Sequence, residues 1–424
     1  MEVTFSRGIN TPKCTSVTLG TFILPAVHER ASFDFGSATI AAIVPTYKPQ
    51  ALTVRLVQDL LRASPNLFVY VVDDCTPKEE GSDAIFKRIA TISERVTLLH
   101  TPENKLKAGA LNHALARVFA EGQKCQDVIL TLDDDVVIAE NTVKNLVTEL
   151  MSCDELAAVC SQCRVLNKNT NLLTRLQGLE YLGFNAIRMA DEGFFRGPLV
   201  MHGMLTAFRA DALREIGGFS EGHLIEDYEV TSRLKARGWS VKSAVNAPAL
   251  TVVPERLSRF WRQRTRWSYG GLTVVMGARS LTSVFQDVLG HTLFISMLLM
   301  IGVLFFLRGE GDVPPYMTDV VITLSLLQLG ISYFFQLWLM RHYQEKDAWD
   351  WIIRLLLIPE FLYSYLMTAA LVGSYIFHSF NALKRRAWFR GTPLVAALIG
   401  AGERLFRACG YTERAWGTRT RIQI

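Results

Sequence analysis

The stretch DVILTLDDDVVI, residues 127–138, decides how the rest of the chain is read. Its first half, DVILTL (127–132), is a run of aliphatic and β-branched residues, the pattern of a buried strand. Three carboxylates, Asp133, Asp134 and Asp135, follow at once. Like charges this close repel, so each makes the next harder to ionise. Two readings are open on this stretch alone. One is a solvated acidic turn. The other is a site for a hard divalent cation, Mn²⁺ or Mg²⁺, which takes carboxylate oxygens and bridges to phosphates.

Upstream, the chain alternates strand and helix patterns. ATIAAIVPTY (38–47) reads as a strand ending in a proline turn, and ALTVRLVQDLLRA (51–63) has helical spacing. LFVYVVDDC (67–75) is a second strand, ending in Asp73 and Asp74. AIFKRIATIS (84–93), VTLLH (96–100) and KAGALNHALARVFA (107–120) read as helix, strand and helix. This alternation predicts a parallel sheet covered on both faces, with ligands bound outside the carboxyl ends of its strands. Asp73, Asp74, Asp133, Asp134 and Asp135 all fall at such ends. That placement favours a metal held against a ligand diphosphate. There is no P-loop and no G-x-G-x-x-G, so neither a Walker nor a dinucleotide site is expected.

Half of the 424 residues are hydrophobic, and they are unevenly spread. Three long apolar stretches, 284–307, 317–340 and 351–377, each match the length of a helix crossing roughly 30 Å of hydrocarbon. No signal peptide is visible in the first twenty residues, which predicts a cytoplasmic N-terminal part. RGEGD (308–312) is acidic and short, as expected outside, whereas RHYQEKD (341–347) carries more basic residues and NALKRRAWFRG (381–391) is strongly basic, as expected inside. Three crossings would put that last segment on the wrong side. Arg354, Pro359 and Glu360 therefore predict that the third stretch is an interfacial helix plus a further segment, not one clean crossing. PLVAALIGAGERLF (393–406) is too short to span and reads as a surface helix. A net charge of +5 fits an anionic lipid surface, and no basic patch interleaved with aromatics points to nucleic acid. The seven cysteines are scattered, and CSQC (160–163) reads as a pair of reduced structural thiols.

The order IVPTY, VVDDC, KAGALN, LTLDDDV, NTNLLTRLQGLEY, GMLTAFR, IEDYEVTSRLKARGW and RQRTRW resembles an inverting family 2 glycosyltransferase. More narrowly, it resembles the membrane-integrated hyaluronan, chitin and cellulose synthases. The resemblance implies a GT-A type α/β domain with a mixed, mostly parallel sheet, followed by a helical transmembrane region. The expected division is an extension (1–37), the transferase domain (38–250), interfacial helices (251–282), the transmembrane region (283–380) and a basic cytoplasmic tail (381–424).

The resemblance also implies roles. Asp73 and Asp74 contact the nucleotide, with Pro45 and Tyr47 of the first strand end beside them. Asp133 and Asp135 hold the metal on the diphosphate; the middle residue is usually small, so Asp134 is either a solvated bystander or a supporting charge. The family's G-K-A is here Leu106–Lys107–Ala108, with Lys107 near the diphosphate and the glycine replaced. Asp227 of HLIEDYEV (223–230) is the catalytic base, which takes the acceptor proton, and Glu226 balances its charge. Tyr228 stands where hyaluronan and chitin synthases have arginine.

QRTRW (263–267) matches Q-x-x-R-W and puts Gln263, Arg266 and Trp267 on one helix face. Arg266 suits the diphosphate, and Gln263 and Trp267 the acceptor. Trp416, Gly417, Thr418 and Arg419 resemble a segment that closes over bound nucleotide.

The expected activity is processive transfer from a UDP-sugar to a growing polysaccharide with coupled secretion. The alternatives are a single transfer to a lipid-linked acceptor and a non-catalytic scaffold. Such synthases usually carry helices before the catalytic domain; none is readable here, so a channel has fewer helices or needs a second copy of the chain.

Overall fold

The structure is a computed structural model that describes residues 33–78, 82–120, 127–190, 195–278, 280–308, 315–385 and 393–412. The strand and helix patterns fold into β1 (Ile40–Thr46), α1 (Ala51–Ala63), β2 (Leu67–Asp73), α2 (Ser82–Ala90), β3 (Val96–His100), α3 (Leu106–Ala120) and β4 (Val128–Leu132). Next come β5 (Val137–Ile138), α4 (Thr142–Met151), β6 (Leu156–Val165), α5 (Leu172–Ala190), β7 (Leu205–Arg209), α6 (Ala210–Glu215), α7 (Glu226–Ala236) and β8 (Ser240–Thr251). They build an eight-stranded sheet in the order β3-β2-β1-β4-β7-β6-β8-β5.

β1, β2, β3 and β4 pair in parallel, as the alternation predicts. β7 is inserted antiparallel to both β4 and β6, so the sheet is mixed. The unbroken apolar runs are explained by burial on both faces. Ile40, Ala42 and Val44 of β1 belong to one apolar cluster with α1 and α4, while Ala41 and Ile43 join the opposite cluster with α3, α6 and α7. β1 and β4 end side by side, and the segments after them carry the polar residues of the site.

After β8 come α8 (Leu257–Gly277), α9 (Phe285–Arg308), α10 (Pro315–Leu339), α11 (Ala348–Leu356), α12 (Ile358–Arg385) and α13 (Pro393–Ala408). Three segments among the described residues are long and apolar enough to cross a membrane: Leu281–Val303, Ile322–His342 and Ile358–Arg385. The third apolar stretch of the sequence is broken. Leu357 takes φ +59°, a left-handed backbone just before Pro359, and separates α11 from α12.

α9 and α10 present apolar side chains outward over most of their length, with Leu299 66% and Phe334 71% exposed. α12 differs. Tyr363 packs on Phe260 of α8 with ring centroids 5.2 Å apart, and Phe377 packs on Tyr269 at 4.7 Å. Both ends of the α9–α10 pair return to the sheet domain. Val284 sits with Ile225 and Tyr228, and Met340 with Leu176 and Leu179 of α5. Lys168 pairs with Asp350 at 2.6 Å and Arg175 with Asp347 at 2.7 Å, which fastens the segment after α10 to α5.

Candidate active site

The turn after β4 aims Asp133 and Asp135 into a cavity of about 1210 Å³. The same cavity is lined by Pro45, Lys107, Glu226, Asp227, Gln263, Arg266 and Trp267. Asp134, between the two, points the other way. It is buried, and its carboxylate accepts a 2.5 Å hydrogen bond from Thr46, tying the end of β4 to the end of β1. It is neither solvated nor a bystander.

Lys107, in the first turn of α3, is the hub of the charged groups. Its ammonium lies 2.7 Å from Asp133 Oδ1 and 3.0 Å from Glu226 Oε1, and donates to the Gly203 carbonyl at 3.0 Å. Burial alone would lower its pKa, but the Asp133 and Glu226 carboxylates outweigh burial and raise it, so Lys107 stays charged.

Asp227 sits in the first turn of α7. Its Oδ2 accepts from the Gly203 N–H at 2.9 Å and its Oδ1 from its neighbour's N–H, Tyr228, at 2.8 Å. Burial, then the adjacent Glu226 carboxylate, pushes it up to about 6. A carboxylate held by two backbone donors and tuned close to neutrality suits a general base.

Gly203 is the residue that motif reading missed. It lies within the quoted GMLTAFR, but nothing in its identity shows that its N–H and C=O serve Asp227 and Lys107 at once. A Cβ there would stand 2.5 Å from Lys107 Nζ and 3.2 Å from Glu226 Oε1. His202 beside it is buried and donates from Nε2 to the Ser161 carbonyl at 2.5 Å. Burial, then Arg188, drives it down to about 3, so it is neutral.

α8 brings Gln263, Arg266 and Trp267 to the cavity on one face, and Arg266 donates to the Leu224 carbonyl at 3.1 Å. Arg264 points away into the core, where it meets Glu180 at 2.5 Å and lies 4.3 Å from the Trp267 ring. It thereby backs the ring that faces the cavity.

Asp73, Asp74 and Tyr47 do not line this cavity; they lie at the neighbouring ends of β1 and β2. Asp73 accepts from the Thr76 N–H and contacts His100 Nδ1, each at 3.0 Å. Asp74 Oδ1 accepts from the Lys105 N–H at 2.8 Å and the Thr101 hydroxyl at 3.0 Å. Its Oδ2 is buried without a hydrogen-bond partner among the described residues, and burial raises its pKa. Lys105 and Leu106 do line the cavity, so Asp74 adjoins it through their backbone. Trp416, Gly417, Thr418 and Arg419 lie outside the described residues.

No three His, Cys, Asp or Glu side chains among the described residues are grouped to hold a metal by themselves. Asp133 and Asp135 nevertheless fit an ion that takes two carboxylates and completes its shell from ligand phosphates and water. Burial, then the Asp133 carboxylate, pushes Asp135 up to about 7. The paired thiols are as expected: Cys160 and Cys163 are buried and free.

A family profile described as Glycosyl transferase family group 2 matches residues 128–377. Poly-beta-1,6-N-acetyl-D-glucosamine synthase of Staphylococcus aureus is 27% identical over 174 residues, 41% of this chain and 40% of that protein. The chain thus covers about two-fifths of the length of that curated relative. A protein named probable glycosyltransferase YdaM, from Bacillus subtilis, is 25% identical over 344 residues, 73% of this chain and 80% of its own length. Among solved structures, mannosyltransferase PcManGT from Pyrobaculum calidifontis, in complex with GDP-Man and Mn²⁺, is similar at TM-score 0.49 and 18% identity, over 75% of this chain and 87% of that one.

Proposed function

The chain belongs to glycosyl transferase family group 2, and on that premise we propose that it transfers a sugar from a UDP-sugar, with inversion, to the end of a growing glycan at a membrane. One observation carries the reading. A single cavity joins the Asp133–Asp135 strand end, Asp227 of α7 and the Gln263–Arg266–Trp267 face of α8. These are the three parts a displacement at an anomeric carbon requires: a seat for the diphosphate, a base, and a surface for the acceptor.

In the proposed step, an acceptor hydroxyl attacks the anomeric carbon from the side opposite the diphosphate. The C–O bond to UDP breaks as the new one forms, and the hydroxyl proton passes to Asp227. The Gly203 and Tyr228 N–H groups fix the plane of that carboxylate. Lys107 and Arg266 offer positive charge to the leaving diphosphate. Asp133 and Asp135 would hold a Mn²⁺ or Mg²⁺ ion, which when bound neutralises charge on that diphosphate. Trp267, backed by Arg264, and Gln263 suit a sugar ring and its hydroxyls. Asp74 Oδ2, buried with no hydrogen-bond partner among the described residues, supports a contact with the N–H of the nucleotide base. Arg407, Gly410 and Thr412 line the cavity just before Trp416, which supports a closing role for Trp416, Gly417, Thr418 and Arg419.

The proposed arrangement has two crossings, α9 and α10, with the catalytic domain on the cytoplasmic side. α12 lies along α8, which carries Arg259, Arg262, Arg264 and Arg266 beside the packed stretch. A crossing α12 would drag those four charges toward hydrocarbon, at a cost of roughly 2.5–3.5 kcal/mol each at mid-bilayer. A second reading, one transfer to a lipid-linked acceptor, is favoured by the way the cavity reaches Asp287 and His291 of α9 and Met367 and Leu371 of α12.

The test uses the full chain in membranes with radiolabelled UDP-sugars, UDP-N-acetylglucosamine first because of the named synthase relative. High-mass label supports polymer synthesis, and a single sugar in the lipid extract supports the second reading. EDTA should stop either reaction and Mn²⁺ should restore it; full activity in chelator would remove the metal from the account.

A further inference from the structure

The first two turns of α9 carry ionisable side chains where a membrane helix begins: Asp287 and His291. Charged and titratable groups at such positions are costly and tend to serve a substrate path. Both line the large cavity. Asp287 is held on two sides. Its Oδ2 accepts from the Tyr228 hydroxyl at 2.9 Å, and its Oδ1 lies 3.7 Å from His291 Nε2. His291 is set in turn by Tyr375 of α12, whose hydroxyl is 2.5 Å from Nδ1 and whose ring lies 6.3 Å from that of Phe294. The Asp287 side chain keeps 25% of its surface open. This is a fixed hydrogen-bond acceptor facing the cavity, one side chain away from the helix turn that carries Asp227.

We propose that Asp287, positioned by His291 and Tyr375, is an acceptor-binding residue that takes a hydrogen bond from a hydroxyl or amide N–H of the glycan where the cavity meets α9. The assignment rests on the glycosyl-transfer reading and extends it to a second sugar along the acceptor. A sugar ring offers several hydroxyl donors in a fixed pattern, and one carboxylate held in place reads one of them. Tyr228 has a separate role in the same contact. With the Ser232–Ser283 hydroxyl pair at 2.9 Å, it ties α7 to the start of α9.

The experiment measures transfer by the full chain in membranes, with UDP-N-acetylglucosamine as donor and a β-1,6-linked N-acetylglucosamine tetrasaccharide as acceptor probe. Asp287→Ala should raise the acceptor KM by about tenfold or more, the size of one hydrogen bond to a charged group. The donor KM should move less than about threefold. Asp287→Asn, which still accepts one hydrogen bond, should recover part of the loss. Tyr228→Phe breaks the 2.9 Å bond to Asp287 but leaves the carboxylate, and should move the acceptor KM far less than Asp287→Ala. An unchanged acceptor KM in Asp287→Ala, or an equal rise in Tyr228→Phe, would make Asp287 a structural tie and overturn the assignment. A parent protein that moves no sugar from any UDP-sugar overturns the glycosyl-transfer reading itself, and the acceptor site with it.

Discussion

Leu106 holds a left-handed backbone, φ +61°, immediately before Lys107. A side chain there costs roughly 1–2 kcal/mol, against roughly 0.5–1 kcal/mol of extra chain entropy for glycine. Leu106→Gly should therefore leave the fold at least as stable, by up to about 1 kcal/mol. A thermal melt checks it; a clear loss of stability would show that the leucine side chain packs to better effect than its backbone suggests. Lys48 and Cys75, with φ +60° and +57°, take the same conformation just beyond β1 and β2. Gly203→Ala is the opposite test. Its Cβ would collide with Lys107 Nζ, so transfer should fall by about a hundredfold while the melting curve moves little, because the disturbed groups are the ones proposed to act in transfer.

Asp227 also sets a pH limb. Its pKa is raised to about 6, and only the deprotonated form accepts a proton. kcat/KM should fall about tenfold per pH unit below about 6. A flat profile down to pH 5 would exclude it as the base. These residues were legible in the sequence to different degrees. Asp133, Lys107 and Asp227 are far apart in the chain but share a charge logic that motifs record. Gly203 acts through its backbone, which its identity does not reveal. Asp134 stood out in the sequence only as a charge at a usually small middle position; its burial and its bond to Thr46 are set by the fold.

At the scale of elements, α8 has two working faces. Arg264 and Arg266 are two positions apart, so they point to opposite sides of the helix, one to the core and one to the cavity. The spacing made this division readable; the partner of Arg264 was not, because Glu180 lies 84 positions away. Arg264→Ala would leave Glu180 buried with Tyr363 as its remaining hydrogen-bond partner among the described residues. The expected cost is about 3–5 kcal/mol of stability, read as a lowered unfolding midpoint, with Trp267 loosened as well. A midpoint within error of the parent would mean that α5 and α8 hold together without the pair. The third apolar stretch shows the limits of length as a signal. Pro359 and Arg354 hinted at a break, and Leu357 makes it. The Tyr363–Phe260 and Phe377–Tyr269 contacts, which lay α12 on α8, depend on chain geometry that no local pattern contains.

At the scale of the whole molecule, the α9–α10 pair leaves the sheet domain near Tyr228 and returns to it near Lys168. The first four strands and the apolar stretches were visible as hydrophobic pattern; β5, β6 and β8 were not read from it. The antiparallel β7 and the convergence of α8, α9 and α12 on one cavity were not, since both are set by long-range packing. The two crossings proposed for α9 and α10 would put the chain before α9 and the chain after α12 on one face, so tags at the two ends of the full protein should share protease protection in sealed vesicles. Opposite protection would require a third crossing.

The central claim is that this cavity moves a sugar from a nucleotide to a glycan with Asp227 as the base. Membranes holding the parent protein or Asp227→Asn, given labelled UDP-N-acetylglucosamine, test it most directly. The parent should transfer label to glycan, and the variant should lose at least about a hundredfold of that rate while binding UDP as before. Transfer by Asp227→Asn within tenfold of the parent would contradict the account.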